Sequence, residues 1–332
     1  MKTVDLNDIE FIGSGLKRPE CVHATKSGHL LTSDWRGGVT IIAPNGEIKS
    51  LLARDAGFEL KPNGFCIKKD GSFLIAHLGD DAGGVFHLQL EGTLRPFLTE
   101  IEGDPLPPTN YIHIDYNDRV WITISTRQQP RALGYRPDVS DGYVILVDQG
   151  EARIVADNLG YTNECLVSPD RKTLLVNETF SRRLTKFNIG ENGDLSNKQT
   201  ITEFGPGTFP DGLIVDQDGG IWITSILSNR VIHVAPDGHQ TIVLEDFDPE
   251  QLEIREQAFQ TTGLGRSHLD TLPHARLRNI SSLAFGGPGL KTAYLGCLLG
   301  DSIATFPSPV AGHPPVHWDL DGKIYFNTDH SS

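Results

Sequence analysis

A unit of two hairpins recurs six times along this chain of 332 residues. Such a repeat constrains the fold strongly, because each copy buries its apolar surface only against the next. Each copy reads as a polar loop, an apolar strand, a Gly/Asp turn, a second strand, a small-residue break, a third strand, another turn and a fourth strand. The fifth, FPDGLIVDQDGGIWITSILSNRVIHVAPDGHQTIVL, shows every part. The first turn recurs as KSGH, KDGS, YNDR, PDRK and QDGG, and the second as PNGE, LEGT, DQGE, ENGD and PDGH. These turns supply residues that tolerate positive φ. Runs such as VTIIA, VFHLQL and VIHVA have strand composition and length. Four strands at a period of roughly 45 residues predict an all-β, six-bladed β-propeller with four antiparallel strands per blade. Helical stripes of 3.6-residue period, which a helical solenoid needs, are absent.

Residues 1–332 are expected to form a single propeller domain, interrupted by an insertion at about 246–279 between the fifth and sixth units. The first half of the insertion, DPEQLEIREQAF, reads as a short helix with Asp248 as cap and Pro249 at its first position. The second half reads as loop. The N-terminal VDLNDIEFIG stands where a fourth strand of the last blade would complete the ring, and the C-terminal VHWDLD competes for that place.

Asp plus Glu number 43 against 29 Lys plus Arg, a net charge of -14. Nucleic acid and anionic membranes need clustered cations and are poor partners for such a chain. No stretch has the roughly 20 apolar residues of a membrane span, and the start, MKTVDLNDIE, lacks the apolar core of a secretion signal. Cys21, Cys66, Cys165 and Cys297 form no CxxC pair, so they read as reduced, buried thiols of a cytoplasmic protein, monomeric or homo-oligomeric.

Propeller blades meet around a channel, so the residue before each inner strand comes to one mouth. Across the six units that residue is Glu20, Asn63, Asn110, Asn163, Asp211 and Ser282. Taken singly, Asn and Asp at a loop end are turn formers; Glu20 is not, and the set is uniformly oxygen-bearing. Carboxylates crowded in a narrow mouth repel unless a cation compensates. Hard oxygen donors select Ca2+ first, with Mg2+, Mn2+ or Zn2+ as alternatives. The second strands run back to the same face and end at Trp35, Arg36, His77, Arg127, Phe180, Leu227 and Leu298. Of these Trp35, His77, Arg127 and Phe180, with Phe209 just before Asp211, are expected to line the substrate pocket together with Asn63 and Asn110. His23 and His113 lie on inner strands and read as buried, satisfied histidines.

The six units, with PEC at 19–21, PTN at 108–110, TNE at 162–164 and PDG at 210–212, resemble the regucalcin/gluconolactonase (senescence-marker-protein) family of calcium-dependent lactonases. The related diisopropyl fluorophosphatase is similar too. The most specific stretches are PDG followed by LIVDQDGGIWIT, and TNECLVSPDRKTLLV. The resemblance implies that Glu20, Asn163 and Asp211 hold the metal. It makes Asn110 a ligand to metal or to substrate, and Asp211 the base or nucleophile. Two departures stand out. Glu164 follows Asn163 where many relatives have Gly. Pro108 stands where animal regucalcin has an Arg, so that sugar-orienting cation is missing.

The expected activity is metal-dependent opening of a lactone or related cyclic carbonyl ring, a divalent cation polarising the carbonyl and Asp211 acting as base or nucleophile. A phosphotriesterase or fluorophosphatase on the same site, a non-catalytic binding scaffold and a metal-free strictosidine-synthase-like propeller are the alternatives. No GxSxG elbow supports a serine hydrolase.

Overall fold

The computed structural model describes residues 3–54, 56–271 and 275–326. Six four-stranded antiparallel sheets follow one another along the chain. The inner strands, first in each of blades 1 to 6, are Val22–Ala24, Pro62–Ile67, Thr109–Ile114, Thr162–Val167, Phe209–Val215 and Ile280–Gly286. They are largely buried, whereas an outermost strand such as Leu195–Glu203 is mostly exposed.

Apolar residues pack between adjacent blades, as a ring of stacked sheets requires. Leu74 and Ala76 of blade 2 meet Ile122 and Ile124 of blade 3, and Leu175 and Leu184 of blade 4 meet Leu213 and Ile223 of blade 5. The N-terminal strand Glu10–Ile12 completes blade 6, Phe11 opposite Ala304, and so removes an open sheet edge. The C-terminal VHWDLD forms no strand. It lies across the far end of the channel, where Lys26 N–H donates to the Trp318 carbonyl and the His23 and His317 rings stand 4.7 Å apart.

The hairpin turns are tied by buried aspartates at that far end. Asp216 accepts from the Asp218 and Gly220 backbone through Oδ1 and from Trp222 Nε1 through Oδ2 at 2.9 Å. Asp115 does the same for the backbone of Asn117 and Arg119 and for Trp121 Nε1. This explains why DYNDRVW and DQDGGIW repeat across blades 3 and 5.

The insertion carries helix α1, Pro249–Gln260, capped by the Asp248 carboxylate on the Glu250 and Gln251 N–H groups. A second short helix, Arg266–Leu269, occupies part of the stretch expected to be loop; residues 272–274 of the insertion lie outside the described residues. Helix α1 docks on the mouth side through Phe259, whose ring lies 5.9 Å from Phe180 and 5.2 Å from Phe209, and through Glu256 on Arg182 at 3.0 Å. All four cysteines are buried and free. Among the described residues no helix is long and apolar enough to cross a membrane.

Candidate active site at the channel mouth

The mouth residues were expected just before each inner strand. In the structure five of them sit inside it, as its second or third residue: Asn63, Asn110, Asn163, Asp211 and Ser282. At each the pairing register to the second strand slips: between Pro62 and Phe65, Thr109 and Tyr111, Thr162 and Cys165, Pro210 and Leu213, and Ile280 and Leu283. A bulge turns a side chain out of the alternating pattern. Here it is repeated blade by blade on the residues facing the axis. Glu20 reaches the same rim from the loop before its strand.

Gly64 and Gly212 follow Asn63 and Asp211 for a reason other than turn formation. A Cβ on Gly212 would stand 2.5 Å from the Ser281 carbonyl oxygen, and one on Gly64 2.5 Å from the Tyr111 ring. The two glycines let neighbouring inner strands approach at the bulge.

Three of the expected ligands act on one another. Asp211 is buried beside Glu20, and the Asn163 amide bonds to it. Asn163 Nδ2 also donates to Thr179 Oγ1 at 3.0 Å, and Thr179 Oγ1 in turn donates to the Pro210 carbonyl at 2.7 Å. Asn63 and Asn110 form a second group: Asn63 Nδ2 donates to the Asn110 carbonyl at 3.0 Å and Asn110 Nδ2 to Ser125 Oγ at 2.9 Å. With both amide nitrogens engaged, the two Oδ1 atoms are buried and accept no hydrogen bond among the described residues. A buried acceptor left open is costly unless a ligand completes it.

Burial and the neighbouring Glu20 charge raise the Asp211 carboxyl well above the ordinary carboxylate range, against the pull of Arg18 and Arg131. Glu164 is raised by burial and by Asp211, although its Oε2 accepts the Leu213 N–H at 3.1 Å. Two carboxylates and two open amide oxygens suit a hard, oxygen-preferring cation. Among the described residues no group of three or more His, Cys, Asp or Glu side chains could hold a metal, so an ion at the mouth would depend on the amide oxygens as well as the carboxylates.

The expected pocket wall is only partly assembled. Trp35 stands at the rim, its Nε1 on the Pro62 carbonyl at 2.9 Å and the Arg18 guanidinium 4.3 Å above its ring. His77 accepts the Lys61 N–H through Nδ1 at 3.1 Å. Arg127 is held elsewhere: it pairs with Asp157 on the outermost strand of blade 3 at 2.8 Å and covers the Tyr143 ring. Phe180 and Phe209 lie under Phe259 of α1, fully enclosed, so they back the wall instead of facing a ligand. His23 is satisfied by the Phe65 carbonyl at 2.8 Å, but His113 Nε2 has no partner.

Two functional candidates escaped the reading of the sequence. Arg18 binds Glu20 through Nε at 2.9 Å, and Arg131 contributes its charge to both Glu20 and Asp211. Both bring positive charge to Glu20 or Asp211 from loops other than the one that carries Pro108. The available signal for Arg131 was the length of the connection between the second and third strands of blade 3, Ile124 to Gly142, against the short breaks elsewhere.

This is a six-bladed propeller with a buried, oxygen-rich polar ring at one channel mouth. Residues 18–245 match the sequence profile of the SMP-30/gluconolactonase/LRE-like region, and the chain belongs to that family. It is 28% identical over 184 residues to the 6-deoxy-6-sulfogluconolactonase of Pseudomonas putida, covering 52% of this chain and 57% of the relative. It is 27% identical over 218 residues to lactonase drp35 of Staphylococcus saprophyticus, covering 62% and 63%. The chain thus spans about three fifths of the length of these relatives. The crystal structure of a calcium-binding protein, regucalcin from Agrobacterium tumefaciens, superposes with a TM-score of 0.65 at 16% identity, covering 91% of this chain and 96% of that one. At that identity the likeness speaks for the fold.

Proposed function

We propose that the protein opens a lactone ring by hydrolysis, with a divalent cation, calcium first, held by Glu20, Asn110, Asn163 and Asp211. The observation that carries this reading is the pair of open, buried amide oxygens on Asn63 and Asn110, on the same mouth as the Glu20–Asp211 carboxylate pair. The lactonase names of the matched relatives support it. When bound, the cation supplies Lewis-acid stabilisation of the oxyanion that forms at the ring carbonyl.

The chain's own residues supply the rest. Asp211 acts on the attacking oxygen, as the base that takes a proton from water or as the nucleophile itself. Asn163 bonds to the Asp211 carboxylate and steadies it, while Thr179 and Ser125 fix the Asn163 and Asn110 amides. Asn63 is placed to accept from a substrate hydroxyl through its open Oδ1. The ring oxygen leaves as an alcohol and the product is a hydroxy acid.

The test is hydrolysis of a lactone panel, with a phosphotriester as comparison, before and after EDTA treatment and with Ca2+, Mg2+ or Mn2+ restored. Loss of lactone turnover in EDTA and its return with calcium is expected. Full activity in EDTA, or turnover of the phosphotriester alone, removes the reading. A single turnover in 18O-labelled water separates the two roles of Asp211: with a nucleophile whose acyl-enzyme is reopened at Asp211 Cγ, the label enters the Asp211 carboxylate and the product acid is unlabelled, whereas with a base the label enters the product acid.

A further inference from the structure

Resting on the lactone reading, we infer that the ring this protein opens carries an acidic group, and that Arg131 receives it. Arg131 opens the short 3-10 turn Arg131–Gly134 in the long connection of blade 3. Its Nε and Nη2 both donate to the Tyr161 hydroxyl, at 2.9 Å and 2.5 Å. Its Nη1 is shielded from solvent and has no partner among the described residues. Tyr161 stands two residues before Asn163, at the entry to the inner strand of blade 4, so the guanidinium that binds its hydroxyl lies on the mouth side. A buried charged donor left open is costly. Glu20 does not fill it: its Oε2 is bound by Arg18, and among the described residues its Oε1 makes no contact with Arg131.

A neutral hydroxyl could accept from Nη1, but the charge of the mouth selects an anion. Arg18 and Arg131 already match Glu20 and Asp211 one for one. A divalent cation then leaves surplus positive charge, even with Glu164 ionised, and a neutral lactone does not cancel it. The approach to the mouth has the same sign. Beside Glu20 and Trp35, a groove is lined by Lys17, Arg18, Arg276 and Arg278, with Asp301 as the one carboxylate in its lining. Lys17 and Arg278 are exposed. In a chain of net charge -14, this groove is a local reversal of the field and draws anions inward.

The experiment compares D-glucarate with D-gluconate by titration calorimetry on calcium-loaded protein, and D-glucarolactone with D-gluconolactone in kinetics. Wild type is expected to favour the member of each pair with the additional carboxylate by roughly 10- to 100-fold, the range of a charge-assisted hydrogen bond. Arg131→Gln, with its fold checked by circular dichroism, is expected to lose that preference, and Arg131→Lys to keep part of it. Equal binding of the two acids by wild type, or an undiminished preference in Arg131→Gln, overturns the inference. Preference for the diacid without turnover of any lactone keeps the acid site and removes the hydrolase reading. Lactone turnover without the preference does the reverse.

Discussion

Four buried carboxylates near the mouth side differ in how they are compensated, and the difference separates architecture from chemistry. Burial raises Asp34 and Glu178, but hydrogen bonds outweigh it and hold both below the ordinary carboxylate range: Arg36 and Thr40 on Asp34, and Arg183, Gly160 and Thr185 on Glu178. Asp211 and Glu164 have no such set and are raised. An acid raised in the native state binds protons that the unfolded chain has released, so it lowers stability as pH rises above about 4. Asp211→Asn is therefore expected to do two opposite things. Turnover should fall by at least ~100-fold, while the melting temperature in EDTA should rise by ~2 °C or more. A variant that is both inactive and less stable in EDTA would contradict the assignment. Glu20→Gln is expected to weaken calcium binding in calorimetry. The identities of these residues were legible in the sequence because they stand at one place in every unit. Arg18 and Arg131 were not, since neither position repeats.

At the scale of the strand, the bulges decide where the mouth side chains go. The turns could be read directly, since Gly, Asn and Asp at fixed offsets have a local conformational cause. The bulges could not: a register slip is a property of two paired strands, and its sequence trace, Gly64 or Gly212, resembles an ordinary turn glycine. The same holds for Phe180 and Phe209, whose outward prospects vanish only once α1 lies over them. Gly212→Ala places a methyl group against the Ser281 carbonyl and Ser282 Cα. It should cost about 1–3 kcal/mol by urea unfolding, in the range of overpacking, and reduce turnover by displacing Asp211. Asp216→Asn, at the far end, tests the converse. It keeps the shape but replaces one acceptor oxygen with a donor facing Trp222 Nε1. A loss of about 2–3 kcal/mol is expected there, with kcat close to wild type in the fraction that remains folded.

For the molecule as a whole, the channel is closed at the far end by the segment around His317, and the imidazoles inside it govern behaviour in acid. Burial lowers His23 and His113 to about 4, and lowers His317 as well. Above pH 7 these rings are neutral whether folded or not. As pH falls from about 6.5 to 4, the unfolded chain takes protons that the native state refuses, so stability drops by as much as ~3 kcal/mol per ring and then levels off. Urea midpoints measured across that range should show the fall, and His113→Phe, which also removes an unpartnered Nε2, should lessen it. An unchanged slope in that variant would mean that His113 titrates normally.

The clasp of blade 6 carries a consequence for biosynthesis. Its outer strand, Glu10–Ile12, leaves the ribosome ahead of every blade, while its partner, Ile303–Pro307, follows only after the other five blades. At ordinary elongation rates the nascent chain holds that apolar ribbon unmatched for roughly 15–60 s. Until that partner emerges the ring stays open, and Glu20, eight residues beyond the ribbon, has no settled position relative to Asp211. The oxygen-rich mouth thus comes into being only once the sixth blade has been made.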